Sequence, residues 1–252
     1  MPISVVIITY NEEKNISRTL QKLAWCKDIV IVDSFSNDDT KKIAISFPCR
    51  FFEQSWLGYG AQKNWGAQQA AHDWILNLDA DEVLTDELIE ELQKIDLVHS
   101  KHVAYYISRR MVFLGKIFNY GRESNEKLLR LYHKKYASFN TKLVHEHLEA
   151  NGSTAVLKNY FFHFSYASIS QFHEKTSHYS NLGAQQLFDK NKKRPLWLNS
   201  ILFPFYFFRY AIVHLNILNG YRGLQWSYGQ AKYHIDKYKK LYKLRQQNTN
   251  LE

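Results

Sequence analysis

The chain has 252 residues, of which 45% are hydrophobic and 23% charged; this composition is ordinary for a globular protein, and the length suffices for one well-packed domain with a smaller appendage. Its two cysteines, Cys26 and Cys49, exclude a disulfide framework and a cysteine-based zinc site, and they fit a reducing compartment. Residues 184–252 contain 12 Lys and Arg and 3 Asp and Glu. Residues 1–183 contain 21 basic and 21 acidic residues, so the net charge of +9 lies in the C-terminal quarter. A neutral body with a basic tail indicates an anionic partner surface.

The first 95 residues alternate between strand and helix patterns. The chain begins with a β-branched run that has no basic stretch or cleavage site, which predicts a first strand and not a signal peptide. The predicted strands are Ile3–Thr9, Asp28–Asp33, Cys49–Glu53 and Trp74–Leu78, and the predicted helices are Glu12–Leu23, Asn37–Ile45, Gln62–Ala71 and Thr85–Ile95. This alternation predicts a mostly parallel sheet with helices on both faces. The sequence contains neither the Gly-rich dinucleotide fingerprint nor the P-loop motif.

From about residue 100 the pattern changes. Strands are predicted at Val103–Arg109, Leu128–Tyr132 and Ala155–Leu157, and helices at Ser168–Asp189 and 221–245. The segment Leu196–Asn219 is the most apolar part of the chain, yet it includes Arg209. Because a charge at the centre of a spanning helix is costly, we expect this segment to lie on a bilayer with its aromatic residues inward. An aromatic-rich helix that only completes the core would show the same composition.

An acidic motif follows the fourth predicted strand. Asp79, Asp81 and Glu82 come directly after the apolar run Trp74–Leu78. They are therefore predicted to lie at the carboxyl edge of the sheet, where open α/β sheets bind their ligands. Two carboxylates one residue apart suit a hard divalent cation that also binds substrate phosphates. A solvated acidic turn that caps the next helix would give the same short pattern.

Polar clusters also follow other strands of the predicted sheet. They are Thr9, Tyr10, Asn11 and Glu12 after the first strand, Asp33–Asp38 after the second, and Gln62, Lys63 and Asn64 at the start of the helix before the fourth. Each cluster alone is explained by a turn, a helix cap or a solvated face. Together with the acidic motif they form four clusters at one edge, which predicts a ligand crevice.

Four segments carry a resemblance to a known family. They read SVVIITYNEEKNI, IVIVDSFSNDDT, WLGYGAQKNWGAQQA and DWILNLDADE, and in this order and spacing they resemble the family-2 glycosyltransferases, which have the GT-A nucleotide-sugar-binding fold. The later segments RRMVFLGKIFNYG, LLRLYHKK and LVHEHL and the Tyr- and Lys-rich tail are similar to small bacterial enzymes that add a β-1,4-linked glucose to heptose in the lipopolysaccharide inner core. Phe35 departs from the family pattern, in which small residues are usual at this position.

The resemblance implies an α/β fold of the GT-A type, with a mostly parallel central sheet flanked by helices and a helical, basic and aromatic C-terminal extension. Residues 1–165 would form the catalytic domain, with a nucleotide-binding half at 1–98 and an acceptor-binding half at 99–165, and residues 166–252 would associate with the membrane. The implied activity is an inverting transfer of a hexose, glucose from UDP-glucose, onto an inner-core heptose. The implied cofactor is Mg²⁺ or Mn²⁺, and the implied location is cytoplasmic, peripheral on the inner face of the inner membrane.

Carried over by position, the resemblance also implies roles for individual residues. The residues that would bind the nucleotide sugar are Thr9, Tyr10, Asn11, Glu12, Asp33, Lys63, Asn64 and Asp79. Asp81 would hold the metal that bridges both phosphates, with Asp79 and His145 as further metal ligands; a structural role for His145 is equally compatible with the sequence. The cation and Lys63 would stabilise the charge that develops on the departing nucleoside diphosphate.

An inverting transfer also needs a base that takes the proton from the acceptor hydroxyl. Glu146, in the tripeptide Val144–Glu146, is the first candidate, because the same tripeptide occurs in similar core enzymes. Glu123 is the second candidate. Either carboxylate would otherwise lie on the surface without a catalytic role.

Two other functions fit parts of the sequence. A nucleic-acid-binding protein would explain basic residues interleaved with Tyr, Trp and Phe in the tail, but it leaves the acidic sheet edge without a role, so no nucleic-acid partner is expected. A non-catalytic glycolipid-binding protein with a degenerate site conflicts with the intact pair Asp79 and Asp81. The expected partners are a nucleotide-sugar donor, the lipopolysaccharide core acceptor and the anionic surface of the inner membrane.

Overall fold

The computed structural model describes residues 2–140, 147–166 and 168–249. The chain forms two compact units. The first unit consists of residues 1–110 and 125–164, and the second unit consists of residues 111–124 and 165–252. The predicted site residues His145 and Glu146 lie outside the described residues.

The strands of the described residues form one large sheet and a separate two-stranded sheet. Their bounds are Ile3–Thr9 (β1), Asp28–Asp33 (β2), Arg50–Glu53 (β3), Trp74–Asp79 (β4), Glu82–Leu84 (β5), Ala104–Phe113 (β6), Lys116–Ile117 (β7), Glu126–His133 (β8), Ala137–Phe139 (β9), Leu148–Ala150 (β10) and Thr154–Tyr166 (β11). The large sheet has the order β3-β2-β1-β4-β8-β6-β11-β5. Its first four strands run parallel, whereas β8 pairs antiparallel with β4 and β6, and β11 pairs antiparallel with β5. Strands β9 and β10 form the small antiparallel sheet.

Helices cover both faces of the parallel strands. They are Ile16–Gln21 (α1), Thr40–Ala44 (α2), Tyr59–Gln69 (α3) and Asp86–Lys94 (α4). Val5 and Ile7 of β1 belong to a core cluster with residues of α1, α2 and α4, while the alternate residues Val6 and Ile8 belong to a cluster with Ala67 of α3. Successive residues of a strand point to opposite faces, so a strand covered on both sides is apolar throughout. This burial explains the continuous apolar runs in β1 and β2.

The observed bounds agree closely with the predictions for β1 to β4 and less well with those for the helices. Strands β1 and β2 have the predicted bounds. Helix α1 begins at Ile16 instead of Glu12, because the backbone N–H of Glu12 donates to the hydroxyl of Thr40 and residues 12–15 form a turn. Thr85 caps α4, since its side chain accepts a hydrogen bond from the backbone N–H of Leu88. Strand β11 is far longer than its predicted core of three residues.

The second unit is mainly helical. Its elements are Ile169–Asp189 (α5), Leu198–Phe208 (α6), a π-helical turn at Arg209–Val213, a 3₁₀ turn at Asn216–Asn219 and Tyr221–Thr249 (α7). The core of this unit is aromatic, with Phe113, Phe118, Phe172 and Trp226 packed edge to face. Among the described residues, no helix combines the length and the apolar character that crossing a membrane requires.

Candidate active site

Three predicted site residues meet at the carboxyl edge of the parallel strands. Thr9, the last residue of β1, is in register with Asp33, the last residue of β2. On the other side, Ile8 is in register with Asp79, the last residue of β4. Asp33 is buried and accepts hydrogen bonds from the backbone N–H and the hydroxyl of Ser36. The parallel register therefore places Thr9 and Asp33 side by side and brings Asp79 to the same edge of the sheet, as predicted.

The loops that follow β1 and β2 are bound to each other. Asn11 adopts a left-handed backbone conformation with φ of 54°, and its side-chain oxygen accepts from the backbone N–H of Asn37 at 2.9 Å. The backbone N–H of Glu12 donates to the Thr40 hydroxyl at 2.7 Å. These bonds fix the shape of the edge. The ring of Tyr10 remains 56% exposed and is available to a ligand.

Asp79 is held between two buried cations. The Nζ atom of Lys63 lies 3.1 Å from one carboxylate oxygen, and a guanidinium nitrogen of Arg130 lies 3.0 Å from the other. Both cationic side chains are only 5% exposed. Burial by itself raises the pKa of the Asp79 carboxyl, but Lys63 and Arg130 outweigh burial and hold that pKa well below its usual range. Asp79 is therefore ionised at any physiological pH.

Glu82 completes this group of charges. It is fully buried, and its two oxygens accept from the guanidinium of Arg130 and, at 2.9 Å, from the backbone N–H of Asp79. Burial raises the pKa of Glu82 above its usual value, although Arg130 opposes this effect. For Arg130 burial lowers the pKa, but the two carboxylates outweigh burial and raise it. With Lys63, two cations and two carboxylates balance in the interior, and buried charges need this kind of pairing.

Asp81 has a different partner. Its Oδ2 atom lies 3.3 Å from Nε2 of His163. This contact forms because β11 pairs with β5, which places His163 opposite Glu82. The backbone N–H of Phe164 also donates to the Asp81 carbonyl at 3.0 Å. The side chains of Asp81 and His163 are 15% and 21% exposed. A carboxylate oxygen beside an imidazole nitrogen is a suitable partial ligand set for a divalent cation. Within residues 2–140, 147–166 and 168–249, no group of three or more His, Cys, Asp or Glu side chains is arranged to hold a metal.

Asn64 contacts protein backbone in this structure. Its amide nitrogen donates to the carbonyl of Phe139 at 2.7 Å, and its amide oxygen accepts from the backbone N–H of the same residue at 2.9 Å. Helix α3 also approaches this region closely at Gly60, where an added Cβ would lie 1.9 Å from the Asn140 carbonyl oxygen. Asn64, which we expect to bind the nucleotide sugar, thus also holds β9 beside α3.

The structure describes one of the two candidate bases, Glu123. Glu146, together with the possible metal ligand His145, is outside the described residues. Glu123 belongs to the second unit, in a 3₁₀ turn at Arg122–Ser124, and accepts a hydrogen bond from the indole of Trp226 at 3.0 Å.

Arg130 and His163 were not predicted as site residues, although each has a detectable signal, and Glu82 was predicted to lie at this edge without a role of its own. Arg130 is a charge in the middle of the apolar run LLRLY, and a charged residue is rarely buried without a partner. His163 lies in the aromatic run FFHF. What the sequence does not reveal is that β11 pairs with β5 and so brings His163 to Asp81.

The mixed sheet flanked by helices, with carboxylates at the end of β4, has the GT-A fold. The family model described as glycosyl transferase family 2 matches residues 4–161. The chain therefore belongs to glycosyl transferase family 2, and the prediction of a glycosyltransferase is confirmed.

Named relatives agree with this family. An uncharacterized glycosyltransferase of Rickettsia typhi is 34% identical over 203 residues, which are 76% of this chain and 70% of the relative. The lipopolysaccharide core biosynthesis glycosyltransferase LpsC of Rhizobium meliloti is 29% identical over 216 residues, which are 83% of this chain and 80% of LpsC. Among solved structures, S. aureus TarS 1-349 in complex with UDP is 19% identical, and the match covers 98% of this chain and 92% of that chain. Its TM-score is 0.49, so this likeness is too distant to inform the site.

Proposed function

We propose that this glycosyltransferase moves a hexose, glucose from UDP-glucose, onto a heptose of the lipopolysaccharide inner core, with inversion at the transferred carbon. Membership of glycosyl transferase family 2 supports the reaction class. The similarity to LpsC, named for lipopolysaccharide core biosynthesis, supports the acceptor. UDP-glucose as the donor rests on the sequence resemblance alone.

The observation that carries the proposal is the arrangement of charges after β4. Asp79 is fixed in its ionised form by Lys63 and Arg130, while Asp81 faces His163 at the same turn. A nucleoside diphosphate gains negative charge as the sugar departs, so its site needs cations; Lys63 and a divalent ion held at Asp81 would provide them. In this proposal Tyr10 lines the nucleotide pocket, Asp33 accepts from the base, and Lys63 neutralises the diphosphate.

The residues present fit a divalent cation. Asp81 and His163 offer one oxygen and one nitrogen ligand at 3.3 Å from each other, and Mg²⁺ or Mn²⁺ sites of this kind commonly take their remaining ligands from phosphate and water. Asp81 and His163 would hold the ion, with Asp79 as a possible further ligand. When bound, the ion would stabilise charge on the diphosphate. His163 is thus a candidate imidazole ligand in addition to His145, which lies outside the described residues.

The proton of the acceptor hydroxyl must go to a base. Glu146 remains the first candidate and Glu123 the second. A glutamate in this role accepts the proton as the acceptor oxygen attacks the sugar, and the bond from the sugar to the diphosphate breaks on the opposite face. We further propose that the enzyme works on the cytoplasmic face of the inner membrane, because its basic, aromatic second unit suits an anionic lipid surface.

The test is a transfer assay with purified protein, UDP-glucose, other nucleotide sugars, and lipopolysaccharide core lacking its outer sugars. We expect transfer from UDP-glucose in Mn²⁺ or Mg²⁺, loss of transfer with a chelator, and a decrease of roughly 10²–10³-fold for Asp81→Asn, the size typical of removing one charge-stabilising group. Asp86→Asn is the matched control, because Asp86 is a 76% exposed carboxylate that pairs with Lys22 on the surface. Absence of transfer from every nucleotide sugar, or equal effects of the two substitutions, would contradict the proposal.

A further inference from the structure

One face of α6 is apolar and exposed. Trp197, Ile201, Phe205, Phe208 and Ile212 recur at intervals of four, four, three and four residues along α6 and the π-helical turn that follows it. Residues at these intervals share one helix face. Each is between 53% and 65% exposed. We call these five residues the apolar face; exposed apolar surface of this extent marks a site of interaction.

A cavity lies beside the start of this helix. It has a volume of about 760 Å³, which is within the range of small-ligand sites. Its lining combines cations with apolar and aromatic side chains, namely Lys193, Arg194 and Arg245 with Tyr238, Leu241 and Tyr242. This mixture suits a ligand that has both an anionic and an apolar part.

Arg194 connects the cavity to the apolar face. Its guanidinium donates to the side-chain oxygen of Asn199 in α6 at 2.5 Å and lies 3.3 Å from the ring centre of Tyr238 in α7. The Nε atom of Arg194 is buried and has no hydrogen-bond partner in the described part of the chain. The first residue of the apolar face, Trp197, follows Arg194 by three positions.

Positive charge predominates in the part of the chain that contributes the cavity. Residues 190–249 contain 12 Lys and Arg and one acid, Asp236. Burial lowers the pKa of Lys237, and the nearby charge of Arg194 lowers it further. Burial also lowers the pKa of His234 to about 4, with Lys237, Arg209 and Arg194 adding to the effect. Burial is the larger cause of both shifts, and Arg194, which lines the cavity, adds to each of them. An anion in the cavity would be attracted by the three cations that line it.

We propose that this cavity binds the phosphate headgroup of an anionic lipid while the apolar face inserts into the same leaflet. The charge pattern favours a bilayer over a protein partner, because a leaflet offers phosphates and an apolar layer at a fixed depth from each other. This site deepens the proposal that the second unit works at a membrane. Binding to vesicles needs no donor, acceptor or metal, so its failure would leave the proposed transfer reaction untouched.

The test is co-sedimentation of the full chain with vesicles of phosphatidylcholine alone and with added phosphatidylglycerol. We expect binding only with phosphatidylglycerol. Lys193→Gln should weaken it roughly fivefold, the typical effect of one basic residue at an anionic surface, and Phe205→Ser should weaken it at least as much. The matched controls are Lys232→Gln, an exposed lysine outside the cavity, and Leu182→Ser, a 49% exposed leucine on α5; each should change binding less than about twofold.

Each other outcome overturns the proposal. Equal losses for Lys193→Gln and Lys232→Gln would mean diffuse attraction without a headgroup site. Equal losses for Phe205→Ser and Leu182→Ser would mean that the apolar face does not insert. A thermal-shift measurement with inorganic phosphate separates the two sources of the anion. Stabilisation by free phosphate that Lys193→Gln abolishes, without any binding to anionic vesicles, would assign the cavity to a soluble phosphate compound and reject the lipid.

Discussion

Replacing Arg130 with methionine tests the buried charge cluster most severely. The substitution keeps an unbranched side chain but removes the cation that contacts both Asp79 and Glu82. Removing one partner of a buried ion pair costs about 3–5 kcal/mol. At roughly 2–4 °C per kcal/mol for a protein of this size, the melting temperature should fall by roughly 6–20 °C. The free energy of unfolding is measured by urea denaturation with tryptophan fluorescence.

The loss of stability should depend on pH. Burial raises the pKa of Glu82 in the folded protein. The folded state therefore binds a proton at Glu82 more tightly than the unfolded chain does. As a result, the contribution of Glu82 to the free energy of unfolding increases as the pH falls through its folded-state pKa. Without Arg130 that pKa rises further, and protonation relieves the buried charge at a higher pH. The difference between the wild-type and variant free energies of unfolding should therefore be smaller at acidic pH than at neutral pH.

Arg109→Met is the matched control for this experiment. Arg109 pairs with Glu126, but these side chains are 26% and 37% exposed, so solvent screens the pair and its loss should cost about 0–1 kcal/mol. Two results would contradict this role of the buried cluster. One is that Arg130→Met lowers the free energy of unfolding no more than Arg109→Met. The other is that the loss of stability caused by Arg130→Met is the same at both pH values.

Three further predictions concern the fold and the base. Gly66→Ala should destabilise the protein by roughly 1–3 kcal/mol, because the added Cβ would lie 2.6 Å from a methyl group of Val6 and force α3 away from the sheet; an unchanged melting temperature would contradict this packing. Asn64→Ala should lower stability by roughly 1–3 kcal/mol through loss of its two backbone hydrogen bonds, and a variant of native stability with weakened donor binding would show a purely ligand-binding role. Glu146→Gln should preserve UDP binding and lower transfer by roughly 10²–10⁴-fold, with Glu123→Gln as its counterpart; a near-normal rate for Glu146→Gln and a strong loss for Glu123→Gln would exchange the two assignments.

The parallel half of the sheet was predictable because the burial of its strands is visible in their amino-acid sequence. Strands β1 and β2 are covered on both faces, so each is a continuous apolar run whose ends are marked by polar residues, and the predicted bounds were correct. Their polar ends also predicted the edge at which Thr9, Asp33 and Asp79 meet.

The antiparallel half was harder to predict because long-range pairing decides it. Strand β5 has only three residues and is stabilised by pairing with β11, which lies about eighty residues further along the chain. That pairing places His163 beside Asp81, and no local pattern in the sequence contains this contact. Arg130 is a similar case, because its two carboxylate partners, Asp79 at the end of β4 and Glu82 in β5, lie far earlier in the sequence.

The central claim is that Asp81 and His163 hold a cation that in turn holds a nucleoside diphosphate. Isothermal titration calorimetry of UDP binding, with and without Mn²⁺, tests it directly. We expect Mn²⁺ to tighten UDP binding in the wild-type protein and in Asp86→Asn, and to have little effect in Asp81→Asn and His163→Gln. Equal tightening by Mn²⁺ in all four proteins, or UDP binding that is indifferent to Mn²⁺ throughout, would contradict the claim.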